Sequence, residues 1–270
     1  MSEATFVTKK LNNEVVEEVP LEGGKDMRPA KGAALFPEAF CNIFLCAKKK
    51  SGKTSTVYKI LTRCCGPDTN IIAFCSTIER DANWDSIRAY CERKGIPFVS
   101  HPSIKNDDGV NELALLLKEL GEKDVEQDAP RQKNILDDDD EQPKKKKKKK
   151  YKYKAPDYIF IFDDLADELR DKTIPALVKK HRHFKSKVIL SSQWLNDLHP
   201  GSRKQIDYFL LFRGQPLEKL EEIHRNASLN ISLQEFYRVY RFATLEPFSF
   251  LYIDCTNGTF RRNFNTLIEV

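Results

Sequence analysis

Two short stretches of the chain have residue types and spacing that could handle a phosphate and a divalent metal. The first is Ser51-Gly52-Lys53-Thr54-Ser55, reached from the apolar run 41–46 through Ala47 and the lysines Lys48, Lys49 and Lys50. An apolar strand running into a short polar loop, with Gly-Lys-Thr opening an amphipathic segment over 54–63, is the context a P-loop requires. Backbone N–H groups of the loop and of the helix N-terminus would form a concave cradle for phosphate oxygens. Gly52 lets the backbone approach them, Lys53 would reach the β- and γ-phosphates, and the Thr54 hydroxyl would take one place on Mg²⁺. The pattern calls for glycine where this chain has Ala47, so strain at the start of the loop is the expected difficulty.

The second stretch is Tyr158-Ile159-Phe160-Ile161-Phe162-Asp163-Asp164, an apolar run ending in two acids. A buried strand of this kind delivers carboxylates to its carboxyl end, where ligands sit in open α/β sheets. Asp163 would hold Mg²⁺ and Asp164 would orient or activate the attacking water. Asp-Asp alone is weak, because turns after strands often begin with Asp. Its coupling to Gly-Lys-Thr, with an α/β pattern in between, is what makes it informative. A third run, Val188-Ile189-Leu190-Ser191-Ser192-Gln193, puts a glutamine at the tip of another buried strand. Gln193 there either senses a γ-phosphate and positions water or is a plain strand-end amide.

The elements that must carry these residues alternate. Runs at 70–75, 96–100, 158–163, 188–193 and 208–213 read as strands. Segments at 83–94, 110–120, 172–184, 216–225 and 232–241 read as helices. Near-continuous apolar strands between helices indicate a mostly parallel sheet covered on both faces. Residues 248–254 and 259–264, joined through Asn257-Gly258, predict a C-terminal β-hairpin. The expected fold is a three-layer α/β P-loop NTPase domain with a mostly parallel central sheet flanked by helices. It occupies residues 33–270 behind a polar, flexible leader, 1–32.

The formal charge of +5 needs dissection before it is used. Residues 121–155 contribute +3 of it, leaving +2 for the rest. No basic nucleic-acid-binding face on the folded part follows from that balance. The segment joins the acids 137–140 to the lysines 144–150 across Pro143, and it reads as a disordered, solvated insertion. The sharper alternatives for the lysine run are a mobile arm on DNA phosphate or a nuclear-localisation patch. No apolar run of about 18 residues is present, so no membrane span is expected. Seven scattered cysteines with no C-x-x-C pair read as reduced core thiols of an intracellular protein.

The succession Ile-Phe-Leu…Ser-Gly-Lys-Thr, Ile-Ile-Ala-Phe-Cys-Ser-Thr, Ile-Phe-Ile-Phe-Asp-Asp and Arg-His-Phe-Lys-Ser-Lys-Val-Ile-Leu-Ser-Ser-Gln resembles a specific family. It is similar to the genome-packaging ATPases of poxviruses, other large DNA viruses and their virophage and polinton-like relatives, in the FtsK–HerA branch of P-loop ATPases. The resemblance spans about residues 41–213, interrupted by the insertion. It implies ATP and Mg²⁺ as cofactors and double-stranded DNA and a capsid vertex or portal-like protein as partners. It also implies a homo-oligomeric ring at work inside the infected host cell, in the nucleus or a viral factory, and association with the virion. It places Lys53 and Thr54 on the Walker A pair, Asp163 and Asp164 on the Walker B pair, and Gln193 on the strand-end sensor. Arg182 falls where family members carry a candidate arginine finger acting on a neighbouring subunit, with Arg203 and Arg213 as the next candidates. Ala47 departs from the family's usual glycine. The rival readings are a P-loop nucleotide or nucleoside kinase and a DNA-binding scaffold with a non-hydrolysing P-loop.

Overall fold

The computed structural model of the protein describes residues 26–128, 151–165 and 167–270. In chain order the strands are β1 Asn42–Cys46, β2 Asn70–Cys75, β3 Phe98–His101, β4 Tyr158–Asp163, β5 Ser186–Ser192, β6 Tyr208–Phe212, β7 Phe250–Asp254, β8 Thr259–Arg262 and β9 Thr266–Ile268. The helices are α1 Lys53–Cys64, α2 Ala82–Lys94, α3 Glu112–Asp128, α4 Thr173–Lys180, α5 Pro200–Arg203, α6 Leu217–Asn226 and α7 Leu233–Ala243.

All nine strands join one sheet in the order β3-β2-β4-β5-β1-β6-β7-β8-β9. Every pairing from β3 to β6 is parallel, and β7, β8 and β9 continue the sheet antiparallel. Mostly parallel α/β architecture is therefore borne out. The expected hairpin is β7–β8, and it extends the central sheet by way of β6. β9, which was not expected, pairs along β8 through only three residues, too short a run for a periodic signal.

Side chains alternate across a strand, so apolar runs without a polar break must be covered on both faces. Phe44, Phe74, Phe160, Leu190 and Phe209 point to one side, against α3, α4, α6 and α7. Ile43, Ile71, Ile161, Ile189 and Leu210 point to the other, against α1 and α2. Trp84 of α2 is fully buried there. The seven cysteines are unpaired and six of them are buried, as core thiols would be. Among the described residues, no helix is long and apolar enough to cross a membrane.

Three boundaries differ from expectation. α3 does not stop at Gly121 but runs to Asp128, because a mid-helix glycine costs only about 1 kcal/mol and ends a helix only where the chain also turns. At the far end of the expected insertion, residues 151–155 pack on the domain. Lys154 donates from its N to the Pro29 carbonyl and accepts from Lys31 N, and Tyr151 stacks with Tyr153. The rest of that segment, 129–150, and residues 1–25 of the leader lie outside the described residues. Third, the helix expected over 172–184 ends at Lys180, and residues 181–185 form a turn with Lys185 at φ 46°.

At the amino-terminal edge of the sheet, fully buried Asn42 locks three elements together. Its Nδ2 donates to the carbonyls of Val178 at 2.9 Å and Gln205 at 2.7 Å, and its backbone N donates to Asp207 Oδ2 at 2.7 Å. Asn42→Leu removes both side-chain donations and buries apolar atoms against polar ones. Equilibrium denaturation should show a loss of about 1–3 kcal/mol, with an unchanged denaturant slope.

Candidate active site

β1 ends at Cys46, and the chain then turns over the carboxyl edge of the sheet. Ala47, 2% exposed, donates its N–H to the Ser192 carbonyl at 3.2 Å, which ties the loop's first residue to β5. Its backbone is not in the left-handed region, so alanine at this position is unstrained. The difficulty expected at Ala47 falls instead on Lys50, at φ 60°. Gly52 follows at φ 93° and ψ 14°, a conformation that suits glycine, and caps α1. Ser51 Oγ closes the loop on the Lys48 carbonyl at 2.7 Å, while Lys48, Lys49 and Lys50 are exposed.

Residues 47–55 line one wall of a cleft of about 1020 Å³, and Asp164, Ser191, Ser192 and Gln193 line another. Sheet register explains the meeting. Cys46 lies opposite Ser192 and Asp163 opposite Ser191, so β1, β5 and β4 end at one level. Asp163 is at the last position of β4 with its side chain buried. In a continuing strand Asp164 would face the other way. It adopts φ 53° instead, its carbonyl held by Ser76 Oγ at 2.8 Å, and both carboxylates converge on one ammonium. Lys53 Nζ lies 2.6 Å from Asp163 Oδ1 and 3.1 Å from Asp164 Oδ1.

The electrostatics follow from unequal burial. The Asp163 side chain is 3% exposed against 17% for Lys53 and 44% for Asp164. Burial pushes the Asp163 carboxyl above its usual range, and Lys53 offsets part of that. Burial also acts to lower Lys53, but the two acids outweigh it and hold the ammonium above its ordinary value. Asp163 Oδ1 is buried beside the Lys53 ammonium, and the buried Ser191 side chain also bonds the Asp163 carboxylate. A buried carboxylate at the end of β4, with Thr54 following Lys53 at the start of α1 and lining the cleft, fits a hard divalent cation that prefers oxygen ligands. The residues present therefore suit Mg²⁺, with Thr54 and Asp163 to hold it.

Gln193 is exposed toward the cleft directly beyond β5, and its carbonyl is held by Lys219 Nζ at 2.6 Å. Lys219 also lies 3.7 Å from the centroid of the Trp194 ring. Ser192 Oγ donates to Asp197 Oδ2, which caps the turn that follows. The structure does not bring Arg182 to this site. It sits in the turn before β5, at the opposite end of the sheet, 65% exposed and 3.8 Å from Glu38. The seven residues of β5 put it roughly 20 Å from the cleft. Arg203 is committed to the carbonyls of Leu198 and Asn196. Arg213 is exposed at the carboxyl end of β6, beyond the cleft lining. The arginine that does line the cleft is Arg80, after β2, with Thr77, Asp81 and Asn83 nearby. Sequence reasoning passed over it because 76–81 is an irregular link with no pattern of its own; its place after a strand flanking the Asp-Asp strand was the available signal.

A family model described as Poxvirus A32 protein matches residues 133–244. The chain is similar to the poxvirus A32 proteins. That match bears out the resemblance to viral genome-packaging ATPases. It covers the strand bearing Asp163 and Asp164, together with Arg182 and Gln193, and starts beyond Lys53. No curated protein sequence matches the chain. Among solved structures, the genome packaging NTPase B204 of Sulfolobus turreted icosahedral virus 2, in complex with AMPPCP, is 16% identical. The match covers 83% of this chain and 97% of that one, with a TM-score of 0.50. B204 of Sulfolobus turreted icosahedral virus, described as its DNA-packaging ATPase, is also 16% identical, over 82% and 95% of the two chains, with a TM-score of 0.49. The likeness to the former is one of fold, and it agrees with the P-loop ATPase architecture.

Replacing Lys53 with methionine leaves Asp163 buried with no cation. A carboxyl whose folded pKa is raised stabilises the fold below its unfolded value, and that contribution is lost as pH rises through the folded value. Apo Lys53→Met should therefore lose more stability than the parent as pH rises above the ordinary Asp value of about 3.9. Melting curves along that rise check it; parallel pH profiles for the two proteins would contradict the ion-pair account.

Proposed function

We propose that the protein is an ATP-hydrolysing motor that moves double-stranded DNA into a preformed capsid. The observation that carries the reading is the Lys53 ammonium shared by Asp163 and Asp164 inside a cleft bounded by a P-loop. The A32 match over the second of those elements supports the packaging assignment. A small-molecule kinase would need an acceptor-binding lid rich in arginine, and among the described residues one arginine lines this cleft. The proposed setting is an infected host cell, with a ring of identical subunits acting at a capsid vertex.

The roles follow the geometry. The loop N–H groups and exposed lysines bind phosphate oxygens, and Lys53 moves from the acids to the β- and γ-phosphates when nucleotide enters. Thr54 and Asp163 would hold Mg²⁺, which would supply charge neutralisation on the phosphates when bound. Asp164, the more exposed acid, orients the attacking water and accepts its proton. Gln193 contacts the γ-phosphate or that water. Arg80 is placed to stabilise developing charge within its own subunit. Arg182 reaches a nucleotide only if a neighbour presents one at the amino-terminal edge of the sheet.

The defining experiment is steady-state ATP turnover with and without long duplex DNA, where stimulation by duplex is expected and a response only to small phosphate acceptors would favour the kinase. Arg80→Ala should lower kcat by about 10²–10³, as loss of one charge-stabilising donor does, with a smaller change in nucleotide affinity. Mixing Arg182→Ala with Lys53→Ala subunits tests the neighbour role. Partial return of activity in mixed rings supports it, and full activity of Arg182→Ala alone reduces the residue to its pairing with Glu38 in the turn before β5.

A further inference from the structure

Between α7 and β7 the chain makes a turn that its sequence does not favour. Ser249 N donates to the Glu246 carbonyl at 3.3 Å across Pro247 and Phe248, and Phe248 has φ 62°. Proline followed by positive φ is the pattern of a type II turn, whose third position suits glycine or asparagine. The ring gains no burial in exchange, being 70% exposed, and no stacked ring partner is found for it among the described residues. The turn is nonetheless fixed. Ser249 Oγ donates to the Glu246 carbonyl at 2.6 Å, and Arg262 pairs with Glu246 at 2.7 Å. Strain retained without a packing reward points to function.

The ring lies against the P-loop, with Cδ1 3.4 Å from where a Cβ on Gly52 would stand. It forms one wall of a second cavity, about 380 Å³, lined by Gly52, Ser55, Thr56, Lys59, Phe248 and Phe264. Gly52 and Ser55 also line the phosphate cleft, so the two spaces meet across the first turn of α1. Phe264 is held by Phe250 at 5.1 Å and Phe36 at 5.7 Å between centroids. We propose that this cavity takes the base of the bound nucleotide, stacked on Phe248. The inference rests on the P-loop reading and adds where the nucleoside half goes. An aromatic face stacks any base. Lys59 offers donors, and the Ser55 and Thr56 hydroxyls can donate or accept, so either a carbonyl or an amine on a purine ring can be met. Sites that discriminate strongly do so by matched buried hydrogen bonds; this one accepts adenine and guanine alike.

Calorimetric titration of the full chain with ADP, GDP and inorganic tripolyphosphate tests the assignment. Phe248→Gly should weaken ADP and GDP at least about fivefold and leave tripolyphosphate within about twofold of the parent. Its apo melting temperature should be unchanged or higher, since glycine suits the positive φ, and Phe248→Trp should keep nucleotide affinity. Unchanged ADP affinity in Phe248→Gly, beside normal tripolyphosphate binding, overturns the base site and leaves the P-loop reading standing. Parallel loss of ADP and tripolyphosphate also overturns it, as does an altered oligomeric state with intact ADP affinity, which would make the ring a subunit contact. A parent that binds neither ligand overturns the P-loop reading and the base site with it.

Discussion

A carboxylate buried at the end of β4 needs a cation, and that need organises the site. Removing an ionised group from water without a partner costs several kcal/mol, and Asp163 is 2% exposed. The cation comes from the first residue of α1, the helix that follows β1, with β5 between β1 and β4. It can arrive only because β1, β5 and β4 end in register, Gly52 turns the loop into α1, and Asp164 reverses the chain. Each of these features is a backbone arrangement that serves one contact. The same contact puts one ammonium between two carboxylates of unequal burial.

Positive charge is divided between the two ends of the sheet. Lys48, Lys49, Lys50 and Arg80 face the cleft, whereas Arg182 shares a hollow at the far edge with Arg28 and Lys154, near the acids Asp26 and Glu38. The lysines of the loop and Arg80 therefore meet at the carboxyl edge, apart from the basic side chains of the far edge.

The strands were legible because a sheet covered on both faces leaves uninterrupted apolar runs, and the P-loop and Asp-Asp strand were legible because their chemistry demands fixed residue types at fixed places. Helix ends were less so. Gly121 reads as a stop, yet a helix can run through it, and the basic run after Lys180 reads as helix, yet turns. Convergence of Asp163 and Asp164 could not be read, since strand alternation alone would separate them and a left-handed aspartate leaves no pattern. Arg80 and Phe248 sit in irregular links, where only three-dimensional neighbours confer meaning. The strain foreseen at Ala47 is absent, because Lys50 and Gly52 take the left-handed positions.

The central claim is that Lys53, Asp163 and Asp164 form a hydrolytic nucleotide site, and ATP hydrolysis by purified full-length Lys53→Ala and Asp164→Asn in the presence of Mg²⁺ addresses it most directly. The account predicts turnover in the parent and only background in both variants, with Asp164→Asn still binding nucleotide because its amide keeps the shape of the carboxylate but cannot take a proton. Undiminished hydrolysis by Lys53→Ala would contradict it.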